Sequence, residues 1–277
     1  PLLLCALARK ITSILARKTT IHNMRKIAFI TGATAGFGKA SAYIFAANGY
    51  DLIINGRRLE KLQTLADEIE RKYNVAVLQL PFDVQIEKAV FSSIENIPEA
   101  WKAIDVLINN AGLALGRDYF DEADMNDWNT MIDTNVKGFL YVGKAVSKLM
   151  AIRKQGHIIN LGSVAGKQVY EKGNVYCASK YAVDAISQSM RIDLLRHNIK
   201  VTSINPGAAD TEFSIVRFKG DEPTAKSIYN GLKPLTAEDV AEVIYYCTTL
   251  PAHVCINDLT LSCLQQANAI YFNRQTS

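Results

Sequence analysis

The stretch KIAFITGATAGFGKASAYIFAANGYDLIINGRR, Lys26–Arg58, decides the fold. It opens on an unbroken apolar run, KIAFIT, of the kind that a strand buried on both faces requires. Glycines follow at 32, 36 and 38. A helical stretch, GKASAYIFAANG, then ends on Asn-Gly, a C-terminal stop signal, and a second apolar run, YDLIIN, comes next. Strand, glycine turn, helix and strand make one βαβ unit, whose two strands must lie parallel.

The rest of the chain repeats that alternation. VAVLQLPFD, DVLINN, HIINLGS, KVTSINPG and DLTLSC read as further buried strands. RLEKLQTLADEIERKYN, DWNTMIDTNVKGFLYVGKAVSKLMAIRKQG, VYCASKYAVDAISQSMRIDLLRHN and TAEDVAEVIYYCTTL read as helices. The last opens on Thr-x-x-Asp, a variant of the capping box. With right-handed crossovers, this order predicts a single α/β domain, a Rossmann-type doubly wound parallel sheet of about seven strands with helices on both faces. The domain is expected over 24–277. Residues 1–23 carry Arg9, Lys10, Arg17 and Lys18 and no acidic residue. They read as a non-native or poorly ordered extension, with an organelle presequence as the alternative. Their apolar runs are too short and too often broken by basic residues to span a membrane. Residues 208–234 read as a long irregular segment following a strand's carboxyl end, where lids and binding loops sit.

Composition excludes several functions. Of 277 residues, 49% are hydrophobic and 21% charged, ordinary values for a globular protein. A net charge of +4 is too mild for a nucleic-acid binder. Cys5, Cys177, Cys247, Cys255 and Cys263 are odd in number and include no CxxC pair, so free thiols are expected, with no metal site and no disulfide framework. That usage fits a reducing, cytoplasmic setting.

Thr31–Gly38, TGATAGFG, lies between the first strand and the first helix. Gly32 permits the tight turn, Gly36 lets backbone approach a phosphate, and Gly38 lets helix pack on strand. With Thr34, Ala35 and Phe37 they would present helix amides to a pyrophosphate. The second strand ends in Gly56-Arg57-Arg58, where a preference for NAD would call for a carboxylate. Guanidinium groups grip a 2′-phosphate, so the cofactor expected is NADP(H). The competing reading, two solvated arginines in a helix's first turn, sets cations against the helix dipole. Asp83, followed by Val84, is placed either to accept from adenine or to cap a helix. Asn110, Ala111 and Gly112 in NNAG close the fourth strand at the same sheet edge.

Tyr176 and Lys180 in NVYCASK lie four residues apart, on one helix face. Alone they read as a packed ring beside a solvated stem. Together with TGATAGFG, NNAG, Asn135 in DTNVKG, Ser163 in INLGSVAG, and NPG, they resemble the short-chain dehydrogenase/reductase family in order and spacing. The resemblance runs from Met24 nearly to the C-terminus. It implies that Tyr176 is the acid/base, that Lys180 lowers its pKa and holds the nicotinamide ribose, that Ser163 hydrogen-bonds the substrate oxygen, and that Asn135 supports a water reaching Lys180. It also places Pro206, Gly207 and Thr211 at the cofactor and implies a homotetramer built through the two long helices.

A narrower resemblance rests on GLALG, DWNTMIDTN, GNVYCASK, TEFSIVRFKGD and LPAHVCIN. It is to the NADP-dependent 3-hydroxy acid dehydrogenases, which include serine and L-allo-threonine dehydrogenases. It implies oxidation of the C3 hydroxyl of L-serine, L-allo-threonine, 3-hydroxyisobutyrate or 3-hydroxypropionate, or reduction of the 3-oxo acid or malonic semialdehyde. Such a substrate is a small anion, and Arg217 is the candidate clamp for its carboxylate. The bland alternative pairs Arg217 with Asp221 or Glu222. Asp210 is a departure from the subfamily pattern, a carboxylate that would weaken acid binding if it faced the site. Two other functions compete: an NADPH-dependent reductase of carbonyls or 3-oxoacyl thioesters, and a cofactor sensor without catalysis. Retention of both Tyr176 and Lys180 argues against the sensor.

Overall fold

The computed structural model describes residues 25–275; the expected extension over 1–23 lies outside them. Seven strands form one parallel sheet: β1 (Ile27–Ile30), β2 (Asp51–Gly56), β3 (Val77–Pro81), β4 (Ile104–Asn109), β5 (Gly156–Leu161), β6 (Ile199–Pro206) and β7 (Asp258–Leu261). Their order is β3-β2-β1-β4-β5-β6-β7. The winding reverses between β1 and β4, and a crevice opens there at the strands' carboxyl ends.

The continuous apolar strands are explained by two cores, one on each face. Ala28, Ile30, Leu52, Ile54 and Ile108 pack on one side with Phe45 of α1 (Gly36–Ala47), Leu62 and Ile69 of α2 (Leu59–Tyr73), and further residues. Ile27, Phe29, Ile53 and Leu107 face the other way, onto Val90 and Ile94 of α3 (Glu87–Glu95). Successive residues point to opposite faces, so a strand covered on both sides is apolar at every position. Gly49, at φ +78, takes the left-handed conformation just past the end of α1.

Three departures from the sequence reading bear on the site. The long helix expected from Asp127 begins at Met125, capped by Asp124, and divides into α4 (Met125–Ile132) and α5 (Phe139–Arg153) around a π-helical turn, Asp133–Gly138. Periodicity cannot register a one-residue insertion in a helical ladder; here it turns Asn135 into the interior. α3 lay unrecognised in a short stretch with two buried positions, Val90 and Ile94. The segment expected to be irregular, 208–234, contains α7 (Glu212–Arg217), capped by Thr211, and α8 (Glu222–Ser227), capped by Asp221. Each is too short for helical periodicity to show. α6 (Asn174–Leu194) carries the Tyr-Lys pair. α9 (Ala237–Thr249) bears the full capping box, with Thr236 and Asp239 bonding reciprocally.

Candidate active site

The glycine turn is a cradle of backbone. Gly32 and Gly36 hold φ of +63 and +48, which side chains with a Cβ rarely adopt. A Cβ on Gly38 would run into the Gly32 carbonyl oxygen, so α1 sits directly on the turn. The N-cap residue of α1, Ala35, has no side chain to satisfy its amides. The turn opens into a cleft of about 270 Å³. Thr34, Ala35, Phe37, Arg57, Arg58, Asp83, Val84, Asn110, Ala111, Gly112, Thr211, Tyr176 and Lys180 line it along with Gly32 and Gly36. Amides of a helix N-terminus at one end, and two guanidinium groups where the second strand ends, fit a phosphorylated dinucleotide.

Within that cleft, Arg57 is two-thirds exposed and its guanidinium lies 4.0 Å from Asp83. Arg58 is the N-cap residue of α2 and provides no capping bond. Asp83 accepts from the Gln85 amide at 3.0 Å, a local turn bond that leaves its second oxygen toward Arg57. Pro206 and Gly207 line the neighbouring cavity, which shares Phe37, Gly162, Tyr176, Thr211 and Phe213 with the cleft.

Ser163, Tyr176 and Lys180 converge at the boundary of the two cavities. Ser163 caps the turn Val164–Gly166, its oxygen accepting from the Ala165 amide at 3.1 Å. That turn rests on α6 so closely that a Cβ at Gly166 would lie 2.6 Å from the Lys180 carbonyl oxygen. This contact fixes Ser163 against the helix that bears Tyr176. The Tyr176 hydroxyl is pushed above its ordinary value by burial, which outweighs the opposing hydrogen bond from Ser163 and the Arg217 charge. Lys180 directs its ammonium to the Leu161 carbonyl, at 2.8 Å. Burial brings Lys180 down to about 8, which leaves it charged at neutral pH. Asn135 is buried, and its amide is engaged by protein at both ends. It accepts from the Leu113 amide at 2.8 Å and donates to the Leu113 carbonyl at 2.7 Å and to Ser179 at 3.0 Å. These bonds tie the π-helical turn to the loop after β4 and to α6.

The second cavity, about 230 Å³, is lined by Ser163, Tyr170, Tyr176, Phe213, Arg217 and others. Arg217 stands 5.4 Å from the Tyr176 ring and 5.6 Å from the Tyr170 ring. Its Nε is buried and has no hydrogen-bond partner among the described residues. The surface pairing considered for it does not form. Asp221 caps α8, Glu222 pairs with Lys226, and Lys219 turns outward to Asp127 at 2.8 Å. Asp210 is exposed and lines neither cavity. Sequence reasoning missed Tyr170, which lies in an irregular stretch with no motif, and Glu212, which reaches the glycine turn from 176 residues away. Neither position carries a signal in the sequence.

The short chain dehydrogenase family matches this chain over residues 26–221. The NADP-dependent 3-hydroxy acid dehydrogenase YdfG of Escherichia coli (strain K12) is 45% identical over 244 residues, 88% of this chain and 97% of that one. Sulfoacetaldehyde reductase 2 of Chromohalobacter salexigens is 46% identical over 245 residues, 88% of this chain and 96% of that one. Among solved structures, the closed form of a serine dehydrogenase complexed with NADP+ superposes with a TM-score of 0.83 at 45% identity, covering 90% of this chain and 100% of that one.

Proposed function

The chain belongs to the short chain dehydrogenase family and is an NADP-dependent oxidoreductase, and on that premise we propose that it interconverts a small 3-hydroxy acid and its 3-oxo acid. One observation carries this reading. A half-buried arginine whose buried Nε has no hydrogen-bond partner among the described residues overhangs Tyr176 in a cavity of small-molecule size. A buried N–H without a partner is costly, and a ligand anion would supply one. The names of the relatives point the same way, since each acts on an anion or amino acid with an oxygen function close to the charged group.

When bound, NADP contributes the hydride-accepting or hydride-donating ring. Arg57 and Arg58 hold the 2′-phosphate, the glycine turn holds the pyrophosphate, and Lys180 orients the ribose. Ser163 donates to the substrate oxygen. Tyr176 gives a proton to that oxygen during reduction and takes it back during oxidation. A phenol is protonated at neutral pH and burial reinforces this, so Tyr176 is set to donate there and oxidation quickens as pH rises. Arg217 holds the substrate's anionic group above the Tyr176 ring.

The proposal is tested by Arg217→Gln, assayed on L-serine, L-allo-threonine and 3-hydroxyisobutyrate beside an uncharged ketone. The expected outcome is a rise of about ten- to a hundredfold in KM for the anions, the worth of a charge-assisted hydrogen bond, with the ketone nearly unchanged. Equal losses on both classes favour a carbonyl or 3-oxoacyl thioester reductase. A second reading, sulfoacetaldehyde reduction, draws on the 46% identical relative. It needs the same arginine, and comparing sulfoacetaldehyde with malonic semialdehyde separates the two. We further propose a cytoplasmic homotetramer. The exposed Ile152 of α5 and Ile192 of α6 support it, since both lie on the long helices.

A further inference from the structure

The amide of Gly36 is the first in α1 and belongs to the cradle described for the cofactor's pyrophosphate. It already has a partner: it donates to Oε2 of Glu212 at 3.0 Å. No side chain near Gly36 in sequence makes this bond; Ala35 cannot. The carboxylate arrives on α7, whose capping residue Thr211 lies with its side chain 3.5 Å from where a Gly36 Cβ would stand. Glu212 itself lines the cofactor cleft. A carboxylate on a helix N-terminus does what a phosphate does there. Two anions cannot share one N–H, and in a partly enclosed cleft they repel.

We propose that Glu212 is a displaceable stand-in for the cofactor's phosphates, and that its release from Gly36 makes the setting of Arg217 depend on the cofactor. α7 is only six residues long. Its first residue is Glu212, its second, Phe213, packs 5.7 Å from the Tyr176 ring, and its last is Arg217. Beyond α7, the Arg217 carbonyl accepts from the Gly116 amide at 3.0 Å, and Lys219 is anchored to Asp127. The helix is thus pinned at both ends, to the cofactor turn by a carboxylate and to the loop after β4 by backbone. Losing the first pin frees the end that carries Phe213 and changes how the guanidinium lies over Tyr176. The consequence is a coupling between the Gly36 amide and the Arg217 guanidinium through α7, at the cost of weaker cofactor affinity.

This inference rests on the NADP-binding reading, and its test keeps the two apart. NADP+ is titrated calorimetrically into the full chain and into Glu212→Gln and Glu212→Ala. Amide hydrogen exchange over 208–234 is followed in the same three proteins without cofactor. The expected result is NADP+ binding about three- to tenfold tighter in both variants, as removal of a competing charged acceptor implies, and faster exchange over 211–218. Equal or weaker binding in the variants overturns the displacement. Tighter binding with unchanged exchange overturns the coupling to Arg217. If wild type and variants alike fail to bind NADP+, the cofactor reading falls, and the exchange comparison still decides whether Glu212 holds α7 in place.

Discussion

The glycine turn and the segment 208–234 meet over one crevice, yet they are made differently. The turn is backbone: positive φ angles, helix amides and close packing that a Cβ would disrupt. Its ligand is held by groups every residue possesses, so only the absence of side chains has to be specified. The segment across from it works through side chains on a six-residue helix, Glu212, Phe213 and Arg217, tethered by few bonds. Backbone cradles suit a cofactor whose phosphates never change. A short tethered helix suits a substrate whose identity differs among relatives that share the cofactor.

Substitutions at the boundary between the two regions should have the largest effect. Tyr176→Phe removes the hydroxyl proposed as proton donor while leaving the ring packed on Phe213. Steady-state kcat is expected to fall by about 10²- to 10⁴-fold, with calorimetric NADP+ affinity unchanged. A matching loss of affinity would mean that Tyr176 belongs to the cofactor side alone.

Next comes a change confined to the cofactor side. The double substitution Arg57→Ala with Arg58→Ala is expected to weaken NADP+ by about ten- to a hundredfold. NAD+, having no 2′-phosphate, should change by less than about threefold. With NADP+ saturating, KM for the hydroxy acid should stay constant, in contrast to Arg217→Gln. Similar shifts for both cofactors would leave the arginines as solvated first-turn residues.

The smallest effect belongs to a residue remote from both regions. His157 is buried at the opposite end of the sheet, with Nε2 2.8 Å from the Thr202 hydroxyl, and burial lowers its pKa to about 3. Its folded pKa lies below the unfolded value of about 6.5, so the unfolded chain gains the proton first as pH falls. The stability it contributes is complete above about 6.5 and declines toward 3. Between pH 7.5 and 5.5 the wild type should lose roughly 1 kcal/mol more than His157→Gln in denaturant unfolding, with kinetics on either substrate class unaffected.

The strand pattern was readable because a doubly covered parallel strand leaves no polar position to confuse it, as the wholly buried β1 illustrates. The Tyr176–Lys180 spacing and the glycines were readable because each is a local constraint written over a few residues. Tyr170 and Glu212 were not, since their roles arise from contacts with residues distant along the chain. Asn135 was legible as a motif, whereas the π-helical turn that buries it was not. Arg217 could be named as a candidate, but its orientation could not: Asp221 and Glu222 were equally reachable by chain distance.

By itself, the sequence determined a seven-stranded doubly wound sheet, its cofactor end and the residue types for proton transfer, because these depend on periodicity, on missing side chains and on short spacings. The tertiary structure alone decided three things: that Arg217 turns inward over Tyr176, that Lys180 bonds the Leu161 carbonyl, and that Glu212 lies on the Gly36 amide. Each is a meeting of segments far apart in the chain, fixed by how β5, α6 and α7 pack at the carboxyl edge of the sheet. No local rule carries that information.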